Sequence, residues 1–154
     1  MKNLKKIIII VICALIVGGI MYIILPKKGF LGDLVLSKYK GSNFNSIRVN
    51  INSETPHKGN GDFTCKNKDK INKFLSYLDK VKVVEYEESF EYSKKRIYII
   101  DINTEDDKEI RTCANLTICE KNLQLINVED KDGFERTYKV LNNEFDMKYI
   151  EGLK

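Results

Sequence analysis

One run of the sequence combines negative charge with aromatic rings, and binding chemistry is expected there first. In EYEESFEY, residues 85–92, glutamates are interspersed with tyrosine and phenylalanine. Carboxylates attract basic peptides and cations, and aromatic faces also bind cationic groups. The candidate partner-binding residues are therefore Glu85, Tyr86, Glu87, Glu88, Phe90 and Tyr92. The competing interpretation is an edge strand whose charges keep other sheets from pairing with it.

Residues suited to catalysis or metal binding are few. The single histidine, His57, lies in a turn-rich segment, and a catalytic base there would need a partner that the sequence does not place beside it. Three cysteines without C-x-x-C spacing follow the N-terminal apolar run: Cys65, Cys113 and Cys119. An odd number of cysteines cannot pair completely, and the spacing matches no familiar zinc motif.

The DKDG segment that begins at Asp130 resembles the start of a calcium loop, but position 12 is Leu141 instead of glutamate. A tight hairpin turn is the better interpretation. The chain also lacks a glycine-rich phosphate loop, H-E-x-x-H and G-x-S-x-G. We therefore predict no catalytic residues, no metal, no cofactor and no enzyme activity. A small enzyme with a carboxylate-based site is the alternative, because acidic residues are plentiful and their pairing in space is invisible here.

The N-terminal segment consists of a basic leader and a long apolar run. Residues 7–25 carry no charge, and a helix of that length spans about 28 Å, close to the roughly 30 Å of a bilayer core. This predicts a leader at 1–6 and a transmembrane helix at 7–25. A cleaved signal is disfavoured because no A-x-A pattern follows the run, and lipid attachment because Cys13 follows Ile12 instead of a small residue.

Orientation and location follow from the lysines around this run. They are nearly balanced between its two ends, and the basic leader favours an N-terminus inside the cell. We predict a single-pass cell-membrane protein whose C-terminal domain is extracytoplasmic; the alternative is a cytosolic C-terminal domain. After Leu25 the chain has 23 basic and 22 acidic residues, a net charge of +1. A dedicated nucleic-acid surface is therefore not expected.

The remaining chain shows one helix and a series of strands. Residues 26–45 are glycine-containing and aperiodic, which predicts a tether, and 46–154 are predicted to form the folded domain. In residues 67–80 an asparagine cap precedes an apolar stripe at helical spacing. Strands are predicted at 46–52, 81–86, 96–102, 109–119, 123–129 and 134–140. Asn143 and Asp146 indicate a capping box for a short final helix. The predicted fold class is α+β: an antiparallel sheet of five to six strands covered by the main helix and the C-terminal helix.

Three features together resemble a known kind of protein. These are the basic leader with its isoleucine-rich run, NKDKINKFLSYLDK followed by VKVV, and TYKVLN before the last helix. The chain resembles the small membrane-anchored or lipoprotein-type extracytoplasmic domains of unknown function in low-GC Gram-positive bacteria. That resemblance covers roughly residues 47–153 and implies no activity and no site residues.

The function expected from the sequence is binding. We predict that the extracytoplasmic domain binds a protein or an envelope ligand, with the membrane itself as a further partner. One alternative is a structural or accessory subunit of a membrane complex, in which the apolar helix itself associates.

Overall fold

The computed structural model describes seven stretches of the chain, separated by short gaps: residues 2–24, 26–52, 61–87, 96–106, 109–120, 122–130 and 133–154. These stretches contain four helices: α1 (Lys2–Ile24), α2 (Leu31–Leu36), α3 (Lys68–Leu78) and α4 (Lys148–Glu151). A 3-10 turn, Ser37–Tyr39, follows α2. The strands are β1 (Lys28–Phe30), β2 (Phe44–Asn52), β3 (Phe63–Cys65), β4 (Lys82–Tyr86), β5 (Ile97–Asp106), β6 (Glu109–Cys119), β7 (Asn122–Asp130) and β8 (Glu135–Val140).

All eight strands join one sheet in the order β1-β4-β8-β7-β6-β5-β2-β3. Every neighbouring pair is antiparallel. β5 to β8 form a meander, as consecutive hairpins should. β2 and β3 extend it on one side, and β4 and β1 on the other.

Alternation along the strands separates a buried face from a polar one. On the inner face, Ile47, Ile102 and Ala114 form one row across β2, β5 and β6, and all three are buried. Residues of opposite parity, such as Asp101 and Asn115, lie on the outer face and are hydrogen-bonded to each other at 2.8 Å. The apolar rows of the inner face therefore require cover from the helices.

Helix α3 supplies much of that cover and agrees with its prediction. The Asn67 side chain caps it by accepting from the backbone N–H groups of Asp69 and Lys70 at 3.0 and 3.1 Å. Its apolar stripe is buried through Ile71, Phe74 and Leu78. The final helix α4 lacks the predicted capping box: Asn143 has a φ of 73°, and Asp146 accepts from the Lys148 N–H instead.

The predicted fold class is wrong. The protein is mainly β, with eight antiparallel strands instead of five to six and few helical residues over the sheet. The two strands that the sequence did not reveal, β1 and β3, are three residues each and lie at the two edges. A strand that short has no measurable periodicity, and it forms only because a neighbouring strand offers hydrogen bonds.

The segment predicted as a tether contains ordered elements. Residues 26–45 include β1, α2 and the 3-10 turn, and Leu31 and Leu36 are buried in the core. The Leu31 N–H donates to the Val81 carbonyl at 2.8 Å, which fixes the start of α2 beside the end of α3. The segment therefore belongs structurally to the domain that follows it.

The N-terminal helix α1 begins within the basic leader, so Lys2, Lys5 and Lys6 occupy its first turns. The side chains described in it are those of residues 6–8, 10–17 and 19. In the described part of the chain, no helix combines the length and apolar character that crossing a membrane requires, about 20 consecutive apolar residues. This finding contradicts the predicted transmembrane helix at 7–25. It also contradicts the single-pass cell-membrane location derived from that helix.

The contact between α2 and α3 gives a stability prediction. A Cβ on Gly32 would clash with the Asp79 side chain and lie 3.0 Å from the Asp79 backbone nitrogen. Gly32→Ala should therefore lower the free energy of unfolding by about 1–3 kcal/mol, the usual cost of overpacking. Urea denaturation followed by circular dichroism measures it.

Gly29→Ala is the matched control, because its Cβ would meet only the Leu34 side chain, at an ordinary 3.5 Å. Its effect on the unfolding free energy should stay below about 1 kcal/mol. Equal effects of the two substitutions would contradict the close approach of α2 to α3.

Candidate functional site

The structure describes only the first three residues of the acidic-aromatic run, Glu85, Tyr86 and Glu87. Glu85 and Tyr86 are consecutive residues of β4, so their side chains point to opposite faces of the sheet. Glu87 follows the strand and is exposed. Glu88, Phe90 and Tyr92 lie outside the described residues, as does His57. The structure therefore places only Glu85 on the inner face and Tyr86 on the outer one.

Glu85 is engaged by groups of its own chain. Its Oε2 accepts the Lys27 N–H at 3.1 Å, and its Oε1 lies 3.7 Å from Nη1 of Arg136. Glu85 belongs to β4, which is not at the edge of the sheet because it lies between β8 and β1. Glu85 thus contacts Lys27 and Arg136 of its own chain, and its strand is not the edge strand of the competing interpretation.

Tyr86 has a different neighbour on the outer face. Lys139 Nζ lies 5.9 Å from the centre of the Tyr86 ring, within the range of a cation–π contact. Because Lys139 lies over the ring, part of the Tyr86 face is covered by a residue of the same sheet. The structure therefore gives Tyr86 a local packing role.

Beside Glu85 and Arg136, a cleft opens between α2 and the inner face of the sheet. Its volume is about 110 Å³. We call it the α2 cleft and define it by its nine lining residues: Lys27, Leu34, Val35, Lys38, Tyr39, Val128, Phe134, Arg136 and Tyr138. The first five come from the segment predicted as a tether, and the other four from β7, β8 and the residue before β8.

The walls of the α2 cleft are fixed by the core. Leu31 and Leu36 are buried on the sheet side of α2, which leaves Leu34 and Val35 to line the opening. Val128 and Tyr138 form its floor and are 5% and 3% exposed, because they belong to the inner apolar face. The cleft therefore has an apolar floor and apolar side chains of α2 along its opening.

The charges at the α2 cleft are of one sign. Lys27, Lys38 and Arg136 line it, and none of the nine lining residues is acidic. Glu85 at its border offsets part of the Arg136 charge. The lining also has no imidazole, thiol or serine or threonine hydroxyl to act as a base or nucleophile. Chemically, this arrangement can attract an anion and bury a short apolar group attached to it.

A second, larger groove of about 990 Å³ lies between the end of α3 and the C-terminal segment. Three aromatic rings pack along it: Tyr77 is stacked on Tyr149 at 3.9 Å and meets Phe145 edge-on at 5.1 Å. Its lining mixes both signs, with Lys80 and Lys148 beside three acidic residues: Glu144, Asp146 and Glu151. Because its charges do not favour one kind of ligand, we regard the aromatic groove as packing for the C-terminus.

Tyr77 is the titratable group that this packing perturbs. Its burial raises the pKa of the phenol, the Asp146 carboxylate and Tyr149 act in the same direction, and the Asp146 backbone N–H opposes them. That N–H donates to the phenol oxygen at 2.6 Å. The folded state therefore favours the protonated phenol.

The cysteines do not form a site. Cys65, Cys113 and Cys119 are buried, and none of them forms a disulfide. β6 is continuous through the last two, with a bulge at the pairing of residues 102 and 103 that brings Cys113 Sγ within 3.3 Å of Thr104 Oγ1. Among the residues with described positions, no three of histidine, cysteine, aspartate or glutamate cluster where a metal ion would bind.

The α2 cleft escaped prediction because its two halves are distant in the sequence. Lys27 and Arg136 are brought together only by the pairing of β4 with both β1 and β8. The one local signal was Leu34-Val35-Leu36 between lysines, an apolar run too short to assign to an element.

Comparisons with known proteins identify no relative of this chain. No protein-family model matches it, and neither a curated protein nor a solved structure is significantly similar.

The raised pKa of Tyr77 predicts a pH dependence of stability. The folded-state pKa lies above the ordinary value of 10.0, so the folded protein binds this proton more tightly than the unfolded chain. The resulting stability is present below pH 10 and is lost as the pH rises through the folded-state value. Tyr77→Phe should therefore reduce the alkaline decline in unfolding free energy, while costing about 1 kcal/mol at neutral pH through the lost acceptor.

Urea titrations at several pH values between 7 and 11 measure this difference. Tyr149→Phe serves as the control because it keeps the stacked ring next to Tyr77. An alkaline decline that is identical in the wild type and Tyr77→Phe would contradict the assignment.

Proposed function

We propose that this chain is a binding domain and not an enzyme, and that it holds an anionic group of its ligand in the α2 cleft. The observation that carries the proposal is the convergence of Lys27, Lys38 and Arg136 on a cleft with apolar walls. The binding partner is a protein or other ligand with negative charge, the opposite of the cationic partner that the EYEESFEY run suggested.

Charge and shape support this proposal together. A cleft lined by positive charges and apolar walls focuses the electric field of those charges. The local concentration of anions is therefore raised there. Apolar walls of Leu34, Val35 and Val128 add affinity for any carbon atoms attached to the charge. Exposed lysines are common all over this protein, and the apolar enclosure distinguishes these basic residues from the others.

The composition of the cleft lining supports binding over catalysis. A hydrolytic or transfer reaction needs a nucleophile or a proton acceptor at the substrate. Apart from two lysines and two tyrosines the nine lining residues offer no such group, and none of them is a carboxylate or an imidazole. In the aromatic groove, Asp146 accepts the N–H of Lys148, while Glu144 and Glu151 are exposed to solvent.

Small probes test the proposal on the whole protein. Butyrate, butanesulfonate and butylphosphonate should bind in about the millimolar range expected for ligands of so few atoms, while butylamine and butanol should bind more weakly. Nuclear magnetic resonance shifts of the Leu34, Val35 and Val128 methyl groups measure both affinity and location. Equal binding of butylamine, or shifts elsewhere in the protein, would contradict the proposal.

Charge-neutralising variants provide the second arm of this test. Lys27→Gln and Arg136→Gln should each weaken binding of the anionic probes by about three- to tenfold, consistent with the loss of one charged contact. Lys73→Gln is the matched control, since Lys73 is an exposed lysine on α3 and does not line the cleft. Circular dichroism confirms that the variants are folded. An equal loss in the Lys73→Gln variant would indicate general charge attraction instead of a site.

A further inference from the structure

We propose that the α2 cleft receives the carboxyl terminus of a partner polypeptide, whose preceding residues pair with the open edge of β1. This inference rests on the proposed function and specifies its ligand. Three observations carry it: the chemistry around Arg136, the size of the cleft and the unpaired side of β1.

The structure already shows a carboxylate bound at the border of the cleft. Glu85 lies between the Lys27 backbone N–H and the Arg136 guanidinium, at 3.1 and 3.7 Å. A guanidinium has five N–H donors in a planar fork, so one carboxylate leaves donors for a second. Arg136 also lines the cleft, with its side chain 38% exposed. The planar fork suits a carboxylate that enters from the cleft side.

The size of the cleft limits what can accompany that carboxylate. A cavity of about 150 Å³ holds a benzene molecule, and the α2 cleft measures about 110 Å³. It therefore accommodates a carboxylate and a side chain of about the size of valine, but no larger ring system. The apolar walls favour such an aliphatic last residue over a polar one.

The edge of the sheet beside the cleft offers a place for the preceding residues. The Glu85 N–H donates to the Lys27 carbonyl and the Leu31 N–H to the Val81 carbonyl, so these residues point their backbone groups toward β4 and the end of α3. Successive residues of an antiparallel strand direct their backbone groups to alternate sides. The backbone N–H and C=O groups of Lys28 and Phe30 therefore point away from β4, toward the open edge of the sheet. No described strand pairs with that side of β1.

The position of β1 favours a polypeptide over a free carboxylic acid. Lys27 immediately precedes the strand and also lines the cleft, so a chain added antiparallel to β1 has its carboxyl end on the Lys27 side. Strand addition supplies affinity through main-chain hydrogen bonds, and capture of the terminal carboxylate fixes the register.

Peptide probes test this inference on the full chain. Acetyl-Ala-Ser-Ala-Val with a free carboxyl terminus should bind at least about tenfold more tightly than the same peptide with a terminal amide, since the amide loses the charged contact. An acetylated, amidated peptide with an internal glutamate controls for acidic side chains. Isothermal titration calorimetry measures the affinity of each peptide, and chemical-shift changes of the Val128 methyl groups show whether it binds in the α2 cleft.

Two further probes examine the strand and the cleft separately. Methylation of the backbone nitrogens of the peptide should weaken binding by about tenfold or more, because it removes donors to β1. Arg136→Gln should reduce the difference between the free acid and the amide, whereas Lys73→Gln should leave it unchanged. Both variants are checked for folding by circular dichroism.

The outcomes separate this inference from the proposed function. If butyrate binds in the cleft but the free-acid and amide peptides bind equally, the carboxyl-terminal ligand is wrong and the anion site stands. If the internal-glutamate peptide binds as tightly as the free acid, an acidic side chain is the ligand and the inference is overturned. If neither butyrate nor any peptide binds, both proposals fail.

Discussion

The crossing of α3 over the sheet is the constraint on which the rest of the structure depends. The chain leaves β3 at one edge and must reach β4, six strand positions away, which is about 29 Å at roughly 4.8 Å per strand. Eleven helical residues at about 1.5 Å and five flanking residues at no more than about 3.3 Å each give a reach of at most about 33 Å. The connection is nearly taut, so α3 must lie across the inner face, and its apolar stripe is buried there as a result.

This crossing also decides where the cleft can form. Because α3 ends beside β4, the Leu31 N–H can bond to Val81 and α2 can rest on the end of the helix. The close approach of Gly32 in α2 to Asp79 fixes the contact between α2 and the end of α3. The α2 cleft is the space left where α2 is too short to cover the far ends of β7 and β8.

Local patterns in the sequence predicted the elements with strong periodicity and failed for the elements without it. The eleven-residue strand β6 has the predicted bounds, and α3 was recognisable from its cap and its stripe. β1 and β3 were not recognisable, because three residues cannot show alternation and their stability comes from a partner strand. The candidate site depended on those same pairings. Nothing in the local sequence around Lys27 or Arg136 indicates that the two residues lie close together. In the EYEESFEY run, the pattern did not show that Glu85 and Tyr86 lie in a strand inside the sheet, where they point to opposite faces.

The short pairing of β1 has a mechanical consequence for the protein. β1 joins α1 to the domain and is held to β4 through three residue pairs, while the strands of the central meander are held through many more. A force applied through α1 therefore reaches β1 before it reaches the core. Peeling β1 away would displace Lys27 and loosen α2 while leaving β5 to β8 intact. Tension on the N-terminal helix would thus dismantle the α2 cleft at a lower load than the domain itself can bear.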